Sequence, residues 1–236
     1  MSPSVQNTIN FYADYNNSLG NYISDMGGNR YLDVYASISS ISIGYNNPYL
    51  LRSIKENNSH EWASAVANRP ALGVFPDISW RERVKDFMSV APTGMARVVP
   101  MMCGSCSVEN AIKMAMMYTE AEHRSHGPPA QIQLDTCMRN SAPGSPDLAV
   151  LSFSGAFHGR TLGALSLTRS KPIHKLDIPA FHWPVAPFPE LKYPLAENVE
   201  ANAEAEAQCL DRIEYIIKNW PKRVAAMIIE PIQGEG

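Results

Sequence analysis

The sequence predicts an α/β fold in which a mostly parallel sheet is flanked by helices. Three short apolar runs alternate with helix-forming stretches, and a polar or glycine-bearing turn follows each of them: Val98 to Met102, Ala149 to Phe153 and Val224 to Ile229. This alternation is typical of a parallel sheet that binds its ligand at the carboxyl ends of its strands. We therefore expect the functional residues in the turns that follow the three runs.

A hairpin and a helix are predicted before this sheet. Within residues 20–43, the run Asp25 to Asn29 contains two glycines between β-prone stretches, which is typical of a hairpin turn. Asn47 and Pro48 supply a cap and a first-turn proline for a helix that continues through Ile54.

We assign the chain to two parts. Residues 1–75 form an N-terminal segment with small-domain and dimer contacts, and residues 76–236 form the first part of a large domain. Apolar residues at helical spacing predict four helices in the large domain: residues 77–89, a helix from near Ser107 through Tyr118, residues 161–167, and a long helix with an apolar stripe of Leu210, Ile213, Ile216, Ile217 and Trp220. Residues 123–147 are expected to form a surface excursion, and residues 181–194 an extended, proline-rich loop.

The composition favours small-molecule chemistry over nucleic-acid or membrane binding. The 236 residues are 45% hydrophobic and 18% charged, with a formal net charge of −3 and scattered basic residues. Nucleic acids and anionic membrane surfaces are bound by clusters of basic residues instead. No apolar run approaches the roughly 20 residues that span a bilayer. The four cysteines are too few for a disulfide framework in a chain of this size, which indicates a reducing compartment.

The turn Cys103-Gly104-Ser105-Cys106 lies between the first apolar run and a predicted helix. Backbone N–H groups and the positive end of the helix dipole form an anion site at such a position. Gly104 lets the backbone approach a phosphate closely, and the Ser105 hydroxyl can donate a hydrogen bond to it. The alternative is purely structural, because a tight turn with a serine at a helix cap needs no ligand.

The turn Gly155 to Arg160 sets an aromatic ring, an imidazole and a guanidinium side by side after the second run. A flat cofactor could stack on Phe157, and the planar fork of Arg160 could bind a carboxylate. The alternative is a core phenylalanine beside a solvated arginine.

Two acids, Glu230 and Glu235, follow the third run. One of them could fix a cation or tune a cofactor, whereas a lone acid at a strand end is more often a cap or a surface group. The three turns together favour a shared site more strongly than any one of them does alone.

Eight motifs occur in one order along the chain: Asp33-Val34-Tyr35, Ile38-Ser39-Ser40, Ile43-Gly44-Tyr45, Asn68-Arg69-Pro70-Ala71-Leu72-Gly73, the Cys-Gly-Ser-Cys turn, the Gly155 to Arg160 turn, Ile178-Pro179 through Trp183-Pro184 to Ala186-Pro187-Phe188-Pro189, and Glu230-Pro231-Ile232-Gln233. In that order they resemble the class-III pyridoxal-phosphate-dependent aminotransferases, in particular those that act on 4-aminobutyrate. The resemblance extends from about residue 20 to the last residue. It implies a fold-type-I transferase fold with an incomplete large domain. It also implies amino transfer from 4-aminobutyrate to 2-oxoglutarate, which yields succinate semialdehyde and glutamate.

The resemblance implies five residues that contact pyridoxal 5'-phosphate. Gly104 and Ser105 match the phosphate-binding pair of the family, and Phe157 matches its ring-stacking aromatic residue. His158 and Glu230 are expected beside the same cofactor.

Four further residues are implied for the substrate. Arg160 matches the arginine that holds the carboxylate of 4-aminobutyrate, and Lys171 resembles a second cation near it. Ile38 resembles an apolar wall. Glu235 resembles an acid that pairs with a distant arginine and so frees or blocks a second carboxylate site for 2-oxoglutarate.

Cys103 and Cys106 match two thiolates that ligate a [2Fe-2S] cluster in some members of the family. One chain would supply two ligands and its symmetry mate the other two, which implies a homodimer. A free dithiol or a redox motif is the alternative. The family also implies the mitochondrial matrix. Residues 1–10 contain no Arg-rich leader, so that location would need a presequence, and the cytoplasm is the alternative.

Two other functions compete with this interpretation. Another class-III ω-aminotransferase, for ornithine or β-alanine, would share Glu230-Pro231 but is not expected to contain both the Cys-Gly-Ser-Cys turn and the proline-rich loop. The second competitor is a non-catalytic iron-sulfur or dimerisation module.

Residues 1–236 alone are expected not to transaminate. In this family the lysine that binds the cofactor covalently follows an Asp-Glu-Val-Gln segment, which the resemblance locates beyond Gly236, and Lys113 matches no such motif. The purified chain is mixed with pyridoxal phosphate, reduced with borohydride and mapped by mass spectrometry. Labelling of one specific lysine, together with turnover of 4-aminobutyrate, would contradict this expectation.

Overall fold

The computed structural model describes residues 11–56, 67–68 and 79–235. It divides the chain into two units, Met1–Arg97 and Val98–Gly236, and each unit has its own three-stranded sheet. The predicted division after residue 75 lies outside the described residues, as do residues 69–73 of the Asn68 motif.

The sheet of the first unit is an antiparallel meander of three strands: β1 (Ala13–Leu19), β2 (Tyr22–Asp25) and β3 (Arg30–Leu32). The predicted hairpin is confirmed, because β2 and β3 pair across the glycine-bearing turn. The Asp25 carboxylate accepts hydrogen bonds from the amides of Gly27 and Asn29 within this turn, both at 2.9 Å. Hydrogen bonds from the side chain and backbone of Asn29 are the main reason that the pKa of Asp25 falls to about 2. Strand β1 is not predicted, because Asn and Asp are depleted from strands.

The described part of the first unit also contains two helices, α1 (Pro48–Glu56) and α2 (Ser79–Met88). The helix predicted from Asn47 is confirmed, and the Asn47 side-chain oxygen accepts the Tyr49 amide at 3.0 Å. The helix predicted for residues 77–89 is confirmed from Ser79 onward. Ile38 lies in a single turn, Ala36–Ser39, whose four residues all have positive φ.

The second unit contains a parallel sheet, which confirms the predicted α/β class. Its central strand β4 (Leu148–Phe153) pairs in parallel with β5 (Val185–Ala186) on one side and β6 (Arg223–Met227) on the other. All six residues of β4 are buried. Burial on both faces explains why this run is continuously apolar and shows no alternation.

The described residues of the second unit contain four α-helices: α3 (Gly104–His123), α4 (Gln131–Cys137), α5 (Leu162–Leu167) and α6 (Val199–Asn219). Three of them, α3, α5 and α6, pack with β4 in two hydrophobic clusters. Ile112 of α3 and Leu167 of α5 pack with Trp183 and two β4 residues. Ile216 of α6 packs with two other β4 residues, Leu151 and Phe153. Since β4 supplies both clusters, the turn that follows it starts from a rigid position.

Residues 98–102 do not form the predicted strand. Val99 and Met102 are 56% and 89% exposed, and no strand in the described residues pairs with this run. An apolar run becomes a strand only where its backbone N–H and C=O groups find a partner.

Two other predictions are wrong in part. The excursion at residues 123–147 contains helix α4, which the surrounding Pro, Gly and Ser residues conceal in the sequence. Helix α6 begins at Val199, well before its apolar stripe, and Leu210 and Ile217 of that stripe remain 65% and 47% exposed. Among the helices that the structure describes, none combines the length and the apolar character needed to cross a membrane.

Candidate functional site

Three turns of the second unit contain most of the residues that the sequence singles out. The first is the start of α3, the second (residues 154–161) joins β4 to α5, and the third (residues 228–235) follows β6. Because β4 and β6 are parallel neighbours, their carboxyl ends lie at one edge of the sheet. The second and third turns therefore begin side by side.

The first turn starts α3 three residues earlier than predicted. Cys103 is extended, with φ −161°, and its carbonyl accepts the Ser107 amide at 2.9 Å. Ser105 therefore lies in the first turn of a 20-residue helix, where N–H groups lack intrahelical partners and the dipole is positive. A Cβ on Gly104 would meet no described atom within 4 Å, so the backbone there borders open space. An anion can reach this position.

A hydrogen bond joins the first turn to the second. The Arg160 amide donates to the Ser105 hydroxyl oxygen at 3.0 Å. Gly159 permits the contact, because its φ is +117° and a Cβ there would lie 2.2 Å from that oxygen. Since the Ser105 oxygen accepts this bond, its hydroxyl proton stays available for an anion.

Glu109 of α3 holds the start of α5. Its carboxylate accepts hydrogen bonds from the amides of Gly163 and Ala164 at 2.6 and 3.0 Å, so it replaces the missing side-chain cap of α5. Partial burial raises the pKa of Glu109, but hydrogen bonds, including those from these amides, outweigh it and the pKa lies below its usual value. Sequence reasoning misses this residue, because a glutamate within one helix gives no sign that it caps another.

Two hydrogen bonds join the second turn to the third. The Phe157 amide donates to the Glu230 carboxylate at 3.1 Å, and the Gln233 side-chain amide donates to the Ser154 carbonyl at 2.8 Å. Together with the Arg160 contact to the first turn, these bonds bring Ser105, Phe157 and Glu230 into one connected region.

His158 is a buried side chain of the second turn. Its amide donates to the hydroxyl of Thr168 at 3.0 Å, and this hydroxyl donates to the Gly159 carbonyl at 2.8 Å. Burial lowers the pKa of His158, while the charge of Glu230 opposes that shift. The His158 Nε2 atom has no hydrogen-bond partner among the described residues. The site thus contains a neutral imidazole that can hold a further polar group, and the wholly buried Thr168, which the sequence does not single out, supports it.

Basic side chains lie close together beyond the second turn. The Lys171 ammonium pairs with the Glu235 carboxylate at 2.5 Å, and an Arg160 guanidinium nitrogen lies 3.4 Å from Nε2 of His174. Hydrogen bonding to Lys171 is the main cause that lowers the pKa of Glu235, and the charges of Lys171 and Arg160 add to it. The sequence leads us to expect a distant arginine as the partner of Glu235; within the described residues its partner is Lys171.

The Phe157 ring contacts two of these basic groups. Its centroid lies 5.9 Å from Cζ of Arg160 and 5.5 Å from the centroid of His174, which meets it edge to face. Sequence reasoning misses His174, since a single histidine outside a motif carries no spacing signal. Ile38 belongs to the first unit and is 78% exposed, and its role as an apolar wall stays a prediction.

The thiols of Cys103 and Cys106 lie 3.6 Å apart on the first turn of α3. Cys103 is exposed and Cys106 is half-buried. Two hydrogen bonds lower the pKa of Cys103: the larger effect comes from the Cys106 amide and the smaller from the Cys106 thiol. The same thiol–thiol hydrogen bond raises the pKa of Cys106. Across the described ranges, no group of three or more His, Cys, Asp or Glu side chains is arranged to hold a metal ion.

Comparison with known proteins identifies the family. The family model of class-III aminotransferases matches residues 4–236. The chain therefore belongs to the class-III aminotransferases, for which pyridoxal phosphate is the expected cofactor.

Its curated relatives include the 4-aminobutyrate aminotransferase of Dictyostelium discoideum and the mitochondrial 4-aminobutyrate aminotransferase of Homo sapiens. The chain is 53% identical to the first and 49% identical to the second, over 96% and 98% of its own length. These alignments cover 45% and 47% of the two relatives, so the chain spans about half their length.

Solved structures agree with this assignment. The lysine aminotransferase of M. tuberculosis is 28% identical, with a TM-score of 0.77 over 98% of this chain and 51% of that one. An ω-aminotransferase from Paracoccus denitrificans is 20% identical, with a TM-score of 0.71 over 99% of this chain and 46% of that one, and shows the same fold.

Gly159→Ala is expected to separate the first two turns. The added methyl group collides with Ser105 and also strains the backbone at positive φ, which costs about 1–3 kcal/mol. Urea denaturation should show this loss of stability, and a fluorescence titration should show at least tenfold weaker binding of pyridoxal phosphate. Gly94→Ala is the control, because Gly94 has φ +88° but open space around it. Unchanged cofactor affinity in Gly159→Ala would contradict the role given to this contact.

Cys103 is expected to be alkylated before Cys106. Only the thiolate reacts, and a lowered pKa gives Cys103 the larger thiolate fraction near neutral pH, while the raised pKa of Cys106 delays it to higher pH. Iodoacetamide labelling of the metal-free parent chain between pH 6.5 and 9, followed by tandem mass spectrometry that locates the modified residue, measures each thiol while their mutual hydrogen bond is intact. Faster labelling of Cys106 at pH 7 would refute the assignment.

Proposed function

We propose that this chain supplies the phosphate, ring and carboxylate contacts of an aminotransferase that converts 4-aminobutyrate and 2-oxoglutarate to succinate semialdehyde and glutamate. The observation that supports it best is the hydrogen bond from the Arg160 amide to Ser105. This bond joins the backbone of Arg160, whose guanidinium is proposed to bind a carboxylate, to Ser105 of the proposed anion site. The identities of 46–53% to 4-aminobutyrate aminotransferases support the same substrate.

The donor groups of the first two turns fit pyridoxal phosphate. The Ser105 hydroxyl proton and the first turn of α3 suit a phosphate dianion, and Gly104 leaves the approach open. Phe157 offers an aromatic face to a flat ring, with the buried imidazole of His158 and the carboxylate of Glu230 beside it. When bound, the cofactor supplies an electron sink for amino transfer.

Each residue of the proposed site has its own role. Glu230 holds the Phe157 backbone, so the aromatic ring keeps its place. Arg160 binds the substrate carboxylate through its planar fork, and Lys171 adds a second positive charge. Glu235 pairs with Lys171 when no substrate is bound, so the substrate carboxylate has to displace it. Ile38 is proposed to form an apolar wall against the carbon chain of the substrate.

No lysine of this chain is assigned as the catalytic base. We propose that this lysine belongs to the half of the enzyme that the alignments leave uncovered. The residues of the chain therefore bind and orient, while the proton transfer at the substrate carbon falls to that lysine.

We further propose that Cys103 and Cys106 contribute two ligands to a [2Fe-2S] cluster at the axis of a homodimer. The 3.6 Å spacing and the exposed position of Cys103 fit a pair of ligands that a second copy completes. Exposed apolar side chains on the same helix, Met114, Met117 and Tyr118, fit a face that a second copy would cover. The mitochondrial names of the mammalian relatives support a matrix location, and the Dictyostelium relative does not share that name.

Substitution of Arg160 tests the proposed substrate. Arg160→Leu in the intact enzyme is expected to lower kcat/KM for 4-aminobutyrate by roughly 10- to 100-fold, because a charge-assisted hydrogen bond contributes about 1.5–3 kcal/mol. Arg160→Lys should lose less, since it keeps the charge without the fork. Arg212→Leu, on α6, is the control, because the Arg212 guanidinium lies over the Tyr215 ring.

Turnover of 4-aminobutyrate and ornithine is compared in the same steady-state assay. Preference for ornithine would replace the proposal by a different ω-aminotransferase. Brown, dimeric protein that takes up no pyridoxal phosphate would support the non-catalytic module instead.

A further inference from the structure

We propose that His174 is a positioning residue that orients the Arg160 guanidinium through a single tautomer of its ring. The inference rests on the proposed function, since it gives Arg160 its purpose as the carboxylate-binding group. His174 belongs to none of the motifs in the sequence, and its contacts alone draw attention to it.

The contacts of the His174 ring decide where its proton lies. Nε2 lies 3.4 Å from a guanidinium nitrogen of Arg160, and Nδ1 lies 3.3 Å from the hydroxyl oxygen of Ser170. A guanidinium has donors only, so Nε2 must accept and carries no proton. A neutral ring then has its proton on Nδ1 and donates it to Ser170. A doubly protonated ring would offer Arg160 no lone pair.

One short turn carries both His174 and Lys171. The residues Pro172–His174 form a 3-10 turn with Lys171 as its N-cap, and the His174 amide donates to the Lys171 carbonyl at 3.1 Å. Lys171 reaches Glu235 from this turn, while His174 reaches Arg160. The turn therefore fixes the distance between Lys171 and the Arg160 guanidinium, the two cations that would bind one carboxylate.

Phe157 limits the freedom of this pair from a second direction. The His174 ring meets it edge to face at 73°, and the Arg160 guanidinium lies within 6 Å of the same ring. The three side chains thus contact one another pairwise. Phe157, which is proposed to stack on the cofactor, therefore also supports Arg160, which is proposed to bind the substrate carboxylate.

Orientation matters here because Arg160 is exposed. A free arginine side chain samples many rotamers, and part of that freedom is lost when a carboxylate is bound. A guanidinium already held by His174 has lost part of that freedom before the substrate arrives. Removal of the acceptor should therefore weaken carboxylate binding more than it slows the chemical step.

Two substitutions in the intact, cofactor-loaded enzyme separate the acceptor from the shape of the ring. His174→Leu removes the acceptor and should raise KM for 4-aminobutyrate roughly two- to tenfold, as expected for one hydrogen bond, with a smaller change in kcat. His174→Gln keeps an acceptor oxygen and should restore most of the loss. His123→Leu, in the last turn of α3, is the matched control. A KM in His174→Gln as poor as that of His174→Leu would overturn the proposal.

A double-mutant cycle with Arg160→Leu tests whether His174 acts through Arg160. Added to Arg160→Leu, the substitution His174→Leu should have almost no further effect on KM. Fully additive effects would show that His174 acts elsewhere, and the proposal would fail.

Two further measurements do not depend on turnover. Nitrogen-15 NMR of the imidazole ring at pH 7.5 should show His174 protonated on Nδ1, and protonation on Nε2 would refute the tautomer. Calorimetry with butanoate, a carboxylate without an amine, should show weaker binding to His174→Leu than to the parent enzyme. Absence of 4-aminobutyrate turnover with these two results intact would sink the proposed function and leave the His174–Arg160 contact standing.

Discussion

The whole site depends on the close approach of two turns at Gly159. The Ser105 oxygen lies 2.2 Å from the position that a Cβ on Gly159 would take, so the Arg160 amide can reach it only because that carbon is absent. This contact joins the start of α3 to the turn after β4. The anion position belongs to one of these turns and the aromatic and guanidinium groups belong to the other, so this contact brings the two parts of the site together.

The site separates an inner layer of buried and half-buried side chains, which bind backbone groups, from an exposed, charged layer. In the inner layer, side-chain oxygens accept hydrogen bonds from backbone amides, and each bond holds one turn in place; the residues are Thr168, Glu109 and Glu230. Arg160, Lys171 and Glu235 are exposed. Lys171 and Glu235 pair with each other, and the Arg160 guanidinium lies beside His174. Buried polar groups that are fully hydrogen-bonded rigidify a structure, whereas exposed charges keep the freedom to exchange partners. The proposed binding groups therefore lie in the exposed layer, above side chains that are hydrogen-bonded to the backbone.

Much of this arrangement can be predicted from the sequence, and the limits have physical causes. Strand β4 is evident because burial on both faces leaves six apolar or small residues in a row. The run at residues 98–102 is equally apolar but has no pairing partner among the described strands. A local sequence pattern does not show whether a run will find a strand to pair with. The turns that carry Ser105, Phe157 and Glu230 follow from motif and strand position. Contacts such as that of His174 with Arg160 depend on how a short turn folds back, for which spacing gives no signal.

The ion pair between Lys171 and Glu235 gives the site an internal counter-anion. Small inorganic anions, which can offer Lys171 only one contact, must displace a carboxylate that is tethered nearby and therefore present at high effective concentration. A substrate with a carboxylate can bind several groups together and so compensates for the displaced pair. An inorganic anion that contacts only Lys171 thus meets a competing carboxylate that belongs to the protein itself.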